Sequence, residues 1–296
     1  MIDDPKGRID YEAKGGGPTV VLLPGSCSTG GVWRPVIAAW KNRFRCVTTS
    51  LLGYGGTAER RSANDTAMSH ESEMVEAVIA RAGGRVHLVG HSFGGLVALA
   101  VALRGQAPLA SITVLEAPAG DLLRNAGEAR HYAAFCAMKA AYFTAHRAGE
   151  AEAIKVMIDF YGGQGTFAAW PRRVRDYVVA TTPVNILDWA SADGEALSMG
   201  ALGTLDLPLL VIWGGGSHPA MQRANALIRE SVDGATGVVI AKASHFMLGT
   251  HPDEVARLIG RHVEVAATHV PRSRIDTPSP TLVPPARQRN TIRELF

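Results

Sequence analysis

The sequence predicts an α/β protein: a mostly parallel, doubly wound sheet with a helical cap insertion. Three observations lead there. Short runs that are wholly apolar or β-branched recur along the chain, and each ends abruptly in a cluster of small residues. Segments with apolar residues at helical spacing separate them. A long strand-free stretch then interrupts this alternation before two more apolar runs. Strands alternating with helices pair in parallel, because each crossover returns the chain to the same edge, and a sheet covered on both faces has strands that are apolar on both sides.

The elements follow in order. Arg8–Ala13 has strand character and is closed by Gly15-Gly16-Gly17-Pro18. Thr19–Leu23 is a buried strand that runs into the small-residue loop Pro24-Gly25-Ser26-Cys27-Ser28. Trp33–Asn42 reads as a helix and Phe44–Thr49 as a strand ending near Gly53-Tyr54-Gly55-Gly56. Met74, Val75, Val78, Ile79 and Ala82 fall on one face of a helix over 69–82. Arg85–Val89 is a third buried strand, followed by a helix of small apolar residues to Arg104 with Gly105 as its C-cap. Ser111–Leu115, Leu207–Trp213 and Val238–Ala241 complete the strands, and 254–265 is a closing helix.

Between Pro118 and Leu205 no strand is legible. Tyr132, Phe135, Met138, Tyr142, Ile154, Met157, Ile158 and Tyr161 recur at helical intervals, Gly162-Gly163-Gln164-Gly165 breaks the run, and Pro171 opens a helix over Arg172–Ala180. The chain therefore divides into a core (1–117 and 204–266), a helical insertion (118–203) and a Pro/Arg-rich tail (267–296) expected to be disordered.

Composition narrows the function classes. Of the net charge of +3, all is accounted for by residues 269–296, where five arginines face two acids. The body is neutral, so no basic face for nucleic acid is expected. The longest apolar run, Leu96–Leu103, is far short of the roughly 18 residues of a membrane span. Cys27, Cys46 and Cys136 are too few and too scattered for a disulfide framework or a zinc site, and the opening residues lack the apolar stretch of a signal peptide. No HExxH or CxxC spacing occurs, and neither glycine-rich turn has the dinucleotide order. The expectation is a cytoplasmic protein with no metal, cofactor, nucleic-acid or membrane partner.

The chemistry concentrates at Gly90-His91-Ser92-Phe93-Gly94, set between an apolar strand and a helix. A tight strand-to-helix turn strains the serine backbone, and the flanking glycines remove Cβ atoms that would clash. The hydroxyl then projects at a helix N-terminus, where free N–H groups favour developing negative charge. A serine hydroxyl is a weak nucleophile and needs a base within hydrogen-bond reach. Of the ten histidines, His245 stands just after the last strand, in Ala243-Ser244-His245-Phe246.

With these residues the chain resembles the α/β-hydrolase superfamily over roughly Ile9 to Val265. The Leu23-Pro24-Gly25-Ser26 loop, the Ser92 elbow and the late His245 carry the resemblance. It implies the α/β-hydrolase fold, Ser92 as nucleophile and His245 as base. Family members usually place the orienting Asp in the loop after the Leu207–Trp213 strand, but Ser217 occupies that slot here. The family's second solution, a carboxylate at the end of the strand after the nucleophile helix, corresponds to Glu116. The alternative is a Ser92–His245 dyad assisted by Ser217 or His218 through water. The resemblance assigns the oxyanion donors to the backbone N–H of Phe93 and of Ser26, with Cys27 the alternative to Ser26. Cys27, Phe135, Tyr142, Trp170 and His218 are expected at the substrate pocket. The implied activity is hydrolysis of carboxylic esters of small to medium apolar substrates through an acyl-enzyme. Lactonase, thioesterase or C–C hydrolase chemistry, or a weakly catalytic small-molecule receptor on the same fold, are the rival readings.

Overall fold

The computed structural model describes residues 1–195 and 197–267. The tail expected to be disordered lies outside the described residues, apart from Ala267. Seven strands form one sheet: β1 (Glu12–Lys14), β2 (Thr19–Leu23), β3 (Arg45–Thr48), β4 (Val86–His91), β5 (Leu109–Leu115), β6 (Leu209–Gly214) and β7 (Thr236–Ile240). Their spatial order is β1-β3-β2-β4-β5-β6-β7. β1 runs antiparallel to β3, and every other pair is parallel.

Alternate residues of each central strand feed two cores. Val21, Leu23, Leu88, Val114 and Val211 point to the larger one, beneath the helices Ser69–Ala82, Phe93–Arg104 and Pro219–Ser231. Val20, Leu22, Val89, Leu115 and Ile212 point to the other, beneath the helices Arg34–Ala39 and Pro252–Ala267. This double burial explains why the strands read as continuous apolar runs.

Two elements depart from the sequence reading. The first strand is shorter and later than Arg8–Ala13, because Asp10 is drawn off the ladder. Its carboxylate accepts from Ser50 Oγ at 2.8 Å and from the Gly56 N–H at 2.8 Å, and its own N–H donates to Thr57 Oγ1 at 3.0 Å. The helix expected over Trp33–Asn42 begins as a 3-10 turn, Gly30–Trp33, continues as Arg34–Ala39, and is stopped by Lys41 and Asn42 at positive φ. Between β5 and β6 the described residues form seven helices and no strand.

The parallel topology decides where chemistry can gather. β2, β4, β5, β6 and β7 end along one edge, with Leu23 beside Gly90, His91 beside Leu115, Leu115 beside Ile212, and Gly214 beside Ile240. Loops leaving these ends share one crevice.

Candidate active site

Ser92 sits directly beyond β4 with φ +54°, and Glu116 directly beyond β5 with φ +51°. Neither is glycine, so each costs about 1–3 kcal/mol of backbone strain. Hydrogen bonds hold both in place. The Ser92 N–H donates to Leu115 O at 2.8 Å, and the Glu116 N–H to Ile212 O at 3.0 Å. The glycines explain how the turn closes: a Cβ on Gly90 would lie 2.1 Å from Gly94 O, and one on Gly94 2.3 Å from Pro24 O.

His245, in the loop after β7, joins the two. Its Nε2 lies 3.0 Å from Ser92 Oγ and its Nδ1 3.0 Å from Glu116 Oε2. The ring is sandwiched, with Tyr161 of the insertion stacked on it at 4.4 Å and 21° between planes, and Phe246 edge-on. The other carboxylate oxygen, Glu116 Oε1, accepts from the Gly214 N–H at 2.7 Å and from the Ser217 hydroxyl in a short contact. Ser217, in the slot after β6, thus hydrogen-bonds the carboxylate supplied from β5, whereas His218 turns away. Glu116 is wholly buried, and His245 is 3% exposed.

His91 is buried beneath this line. Its Nε2 donates to the His245 carbonyl at 2.8 Å. Burial first, then the neighbouring His245, pull its imidazole down to about 3, so it is a neutral donor.

The loop after β2 closes the other side. A Cβ on Gly25 would stand 2.9 Å from Ser92 Cβ and 3.2 Å from His91 Nδ1, so this backbone packs on the elbow itself. No backbone acceptor within the described residues takes the N–H of Ser26 or Phe93. Cys27 follows at φ +57°. Burial, reinforced by Asp188, pushes its thiol up to about 12, which removes it as a nucleophile.

A buried ionic cluster ties this loop to the insertion. Asp188, on the helix Thr182–Gly194, accepts from Ser26 Oγ and Tyr54 OH, both at 2.6 Å, through Oδ2. Its Oδ1 accepts from Arg61 Nη1 at 2.8 Å. Arg61 also meets Glu59 at 2.8 Å and Glu71 at 3.3 Å. Burial raises the carboxyls of Asp188 and Glu71 above their ordinary range, that of Glu71 to about 8, with Arg61 opposing.

A cavity of about 210 Å³ opens beside Ser92. Met157, Ile158, Trp170, Val178 and Trp189 supply most of its apolar wall from the insertion, and Asn185 and Asp188 its polar patch. Of the residues singled out in the sequence, Ser26, Cys27, Ser92, Phe93, Trp170 and His245 all border it. Three expected pocket residues do not. Phe135 packs on Trp189 at 5.6 Å and borders a separate hollow of about 70 Å³. Tyr142 is wholly buried and donates to Asn185 Oδ1 at 2.9 Å. His218 stacks on Phe160 at 4.1 Å and caps the helix Pro219–Ser231, its Nδ1 accepting from the Ala220 N–H at 3.2 Å. The physical reason is common to the first two: the helix Ala129–Arg147 packs against the insertion helices Gly120–Asn125 and Lys155–Gly162 and against the core helix Pro219–Ser231.

Sequence reasoning missed Asn185 and Asp188. An acid set between Leu187 and Trp189 is the trace Asp188 leaves; Arg61, 127 residues away, leaves none. Among the described residues no helix is long and apolar enough to cross a membrane, and no group of three or more His, Cys, Asp or Glu is placed to hold a metal ion.

With the fold and this geometry in view, comparison with known proteins identifies the family. A sequence model of the alpha/beta hydrolase family matches residues 20–258. The chain belongs to this family. Among curated relatives it is similar to a pimeloyl-[acyl-carrier protein] methyl ester esterase of Nitrosomonas europaea, 36% identical over 100 residues, or 34% of this chain and 36% of that protein. It is also similar to haloalkane dehalogenase 2 of Mycobacterium tuberculosis, 31% identical over 103 residues, covering 34% and 36% of the two chains. The matches thus span little more than a third of those relatives' length. Of solved structures, a thermophilic esterase from Thermogutta terrifontis superposes with a TM-score of 0.69 at 20% identity, covering 88% of this chain and 94% of that one. At that identity the likeness is one of fold.

Proposed function

We propose that this α/β hydrolase is a serine hydrolase that cleaves carboxylic esters of small to medium apolar substrates through an acyl-enzyme. The reading rests on one observation: an unbroken hydrogen-bonded line from Ser92 Oγ through His245 to a fully buried Glu116. In it, His245 Nε2 takes the Ser92 proton as Oγ attacks the ester carbonyl. Glu116 holds Nδ1–H and stabilises the imidazolium. The N–H groups of Phe93 and Ser26 receive the oxyanion, each such donor contributing about 3–4 kcal/mol. His245 then protonates the departing alcohol. Water, deprotonated by the same nitrogen, attacks the acyl-enzyme and returns Ser92 with release of the acid.

Serine at the elbow weighs against the reaction named for the dehalogenase relative. Displacement of a halide by Oγ would leave an alkyl ether on Ser92, which has no carbonyl for water to attack. The esterase relative's name agrees with an ester substrate, and a cavity of about 210 Å³ suits a small one. The test is labelling with a fluorophosphonate followed by peptide mapping, together with turnover of short p-nitrophenyl esters. Modification of Ser92, and turnover abolished in Ser92→Ala, are the expected results. Stabilisation by ligands with neither labelling nor turnover would instead favour a receptor.

A further inference from the structure

The wall of the Ser92 cavity carries an amide that the proposed reaction does not use. Asn185 is 2% exposed and borders the cavity from the helix Thr182–Gly194. Its amide orientation follows from its neighbour. Among the described residues the buried Tyr142 hydroxyl pairs with Asn185 alone, and it donates to Oδ1 at 2.9 Å, which satisfies its proton. The Nδ2 group is thereby left with two donors and no partner among the described residues. It is also not among the buried atoms sealed off unpaired, so it faces the cavity.

Its polar neighbour offers it nothing. Asp188, one turn further along the same helix, spends Oδ2 on Ser26 and Tyr54 and Oδ1 on Arg61. Apart from these two residues, the insertion gives the cavity hydrocarbon and aromatic side chains, among them Val178, Trp189 and Ala192. An unpaired donor in such a wall penalises any purely hydrocarbon occupant, because binding strips water from the amide and returns nothing. An occupant with an oxygen at that point removes the penalty.

We propose that Asn185 is a specificity residue and that the substrate carries a second oxygen acceptor, a carbonyl, ether or hydroxyl oxygen, beyond its reacting ester group. Asn185 Nδ2 donates to that oxygen and sets how the substrate lies relative to Ser92. The inference rests on the hydrolase reading above and narrows its substrate class from apolar esters to oxygen-bearing ones.

The test uses two isosteric ester pairs that differ by a methylene exchanged for an ether oxygen. Phenyl pentanoate against phenyl methoxypropanoate probes the acyl side; butyl acetate against methoxyethyl acetate probes the alcohol side. The readout is the ratio of kcat/KM within each pair, compared between wild type and variant so that intrinsic ester reactivity cancels. Asn185→Asp keeps the acceptor for Tyr142 and deletes the donor. The double variant Asn185→Leu with Tyr142→Phe removes both partners together, which leaves no orphaned hydroxyl. In one of the two pairs the preference for the oxygen member should fall about tenfold or more in both variants. Ratios unchanged in both pairs overturn the proposal. Thermal shifts of Ser92→Ala with the same four esters read binding without turnover. A larger Tm rise with an oxygen member supports the proposal even if the wild type hydrolyses none of them, in which case only the hydrolase reading fails. Equal shifts count against the role of Asn185.

Discussion

Replacing Glu116 by Gln tests the proposed mechanism through a single proton. In the wild-type chain Glu116 Oε1 accepts two donors, the Gly214 N–H at 2.7 Å and the Ser217 hydroxyl, while Oε2 faces His245 Nδ1 at 3.0 Å. A glutamine in this position has one oxygen, and the two fixed donors claim it. The NH₂ group must then face Nδ1 and turns it from donor into acceptor. The imidazole proton moves to Nε2, so the nitrogen 3.0 Å from Ser92 Oγ has no lone pair with which to take the hydroxyl proton. In the serine-protease prototype the corresponding amide substitution lowers kcat by about 10⁴ with geometry intact. At about 1.4 kcal/mol per tenfold, that is about 5.5 kcal/mol of barrier. Since the donors to Oε1 are retained, the fold should tolerate the change. The expected outcome is a kcat for p-nitrophenyl butanoate reduced between about 10² and 10⁴, with Ser92→Ala as background and Tm as the control for folding. Activity within about threefold of wild type, in a protein with unchanged Tm, would refute the orienting role of Glu116.

Four further outcomes follow from the same geometry. Ser217→Ala removes a hydrogen bond to a buried carboxylate and should lower stability by about 1.5–3 kcal/mol in denaturant titration, whereas Ser217→Asp sets a second carboxylate against Glu116 and should depress kcat further than alanine does. Gly25→Ala puts a methyl 2.9 Å from Ser92 Cβ, so fluorophosphonate labelling should slow at least tenfold, while Ser26→Ala should keep the oxyanion donor, which is main chain. Asp188→Ala leaves Arg61 its contacts with Glu59 and Glu71 but takes the shared acceptor from Ser26 Oγ and the buried Tyr54 hydroxyl, and should cost about 1–3 kcal/mol, read as a lowered denaturation midpoint. Stability should fall as pH drops below about 6.5, because His91 stays neutral in the fold down to about 3 while the unfolded chain takes up its proton; its share is at most about 1.4 kcal/mol per pH unit, and a Tm slope unchanged in His91→Gln would contradict it.

Much of the architecture was legible because it follows from period and punctuation. β2, the helix Ser69–Ala82 and the helix Arg172–Ala180 were read to the residue, since a continuous apolar run, a regular stripe and a proline at the first turn each have one interpretation. The first strand was misplaced because the side chain of Asp10 bonds to a turn some 40 residues away, which no local pattern records. The Ser92, His245 and Glu116 positions were legible for a topological reason: each follows the end of a strand, and parallel strands bring those ends together. The pocket wall was not. Phe135, Tyr142 and Trp170 all look alike in sequence, and only the mutual packing of the insertion helices decides which of them meets the cavity. Asn185 and Asp188 escaped notice for the complementary reason, being polar residues whose partners lie on other elements.

The Asp188 cluster has a consequence for how molecules come and go. A roof fastened to its base by a desolvated guanidinium, a phenol and a serine hydroxyl does not swing freely. Parting them would break three hydrogen bonds to a carboxylate, each contributing about 1.5–3 kcal/mol, so the open form is a minor one. Passage to and from Ser92 is then expected to rely on rotamer changes of the bulky side chains that line the cavity rather than on movement of the helix bearing Asp188. Turnover should accordingly respond more to the size of residues such as Trp170 and Phe246 than to any loosening of the segments that connect the insertion to β5 and β6.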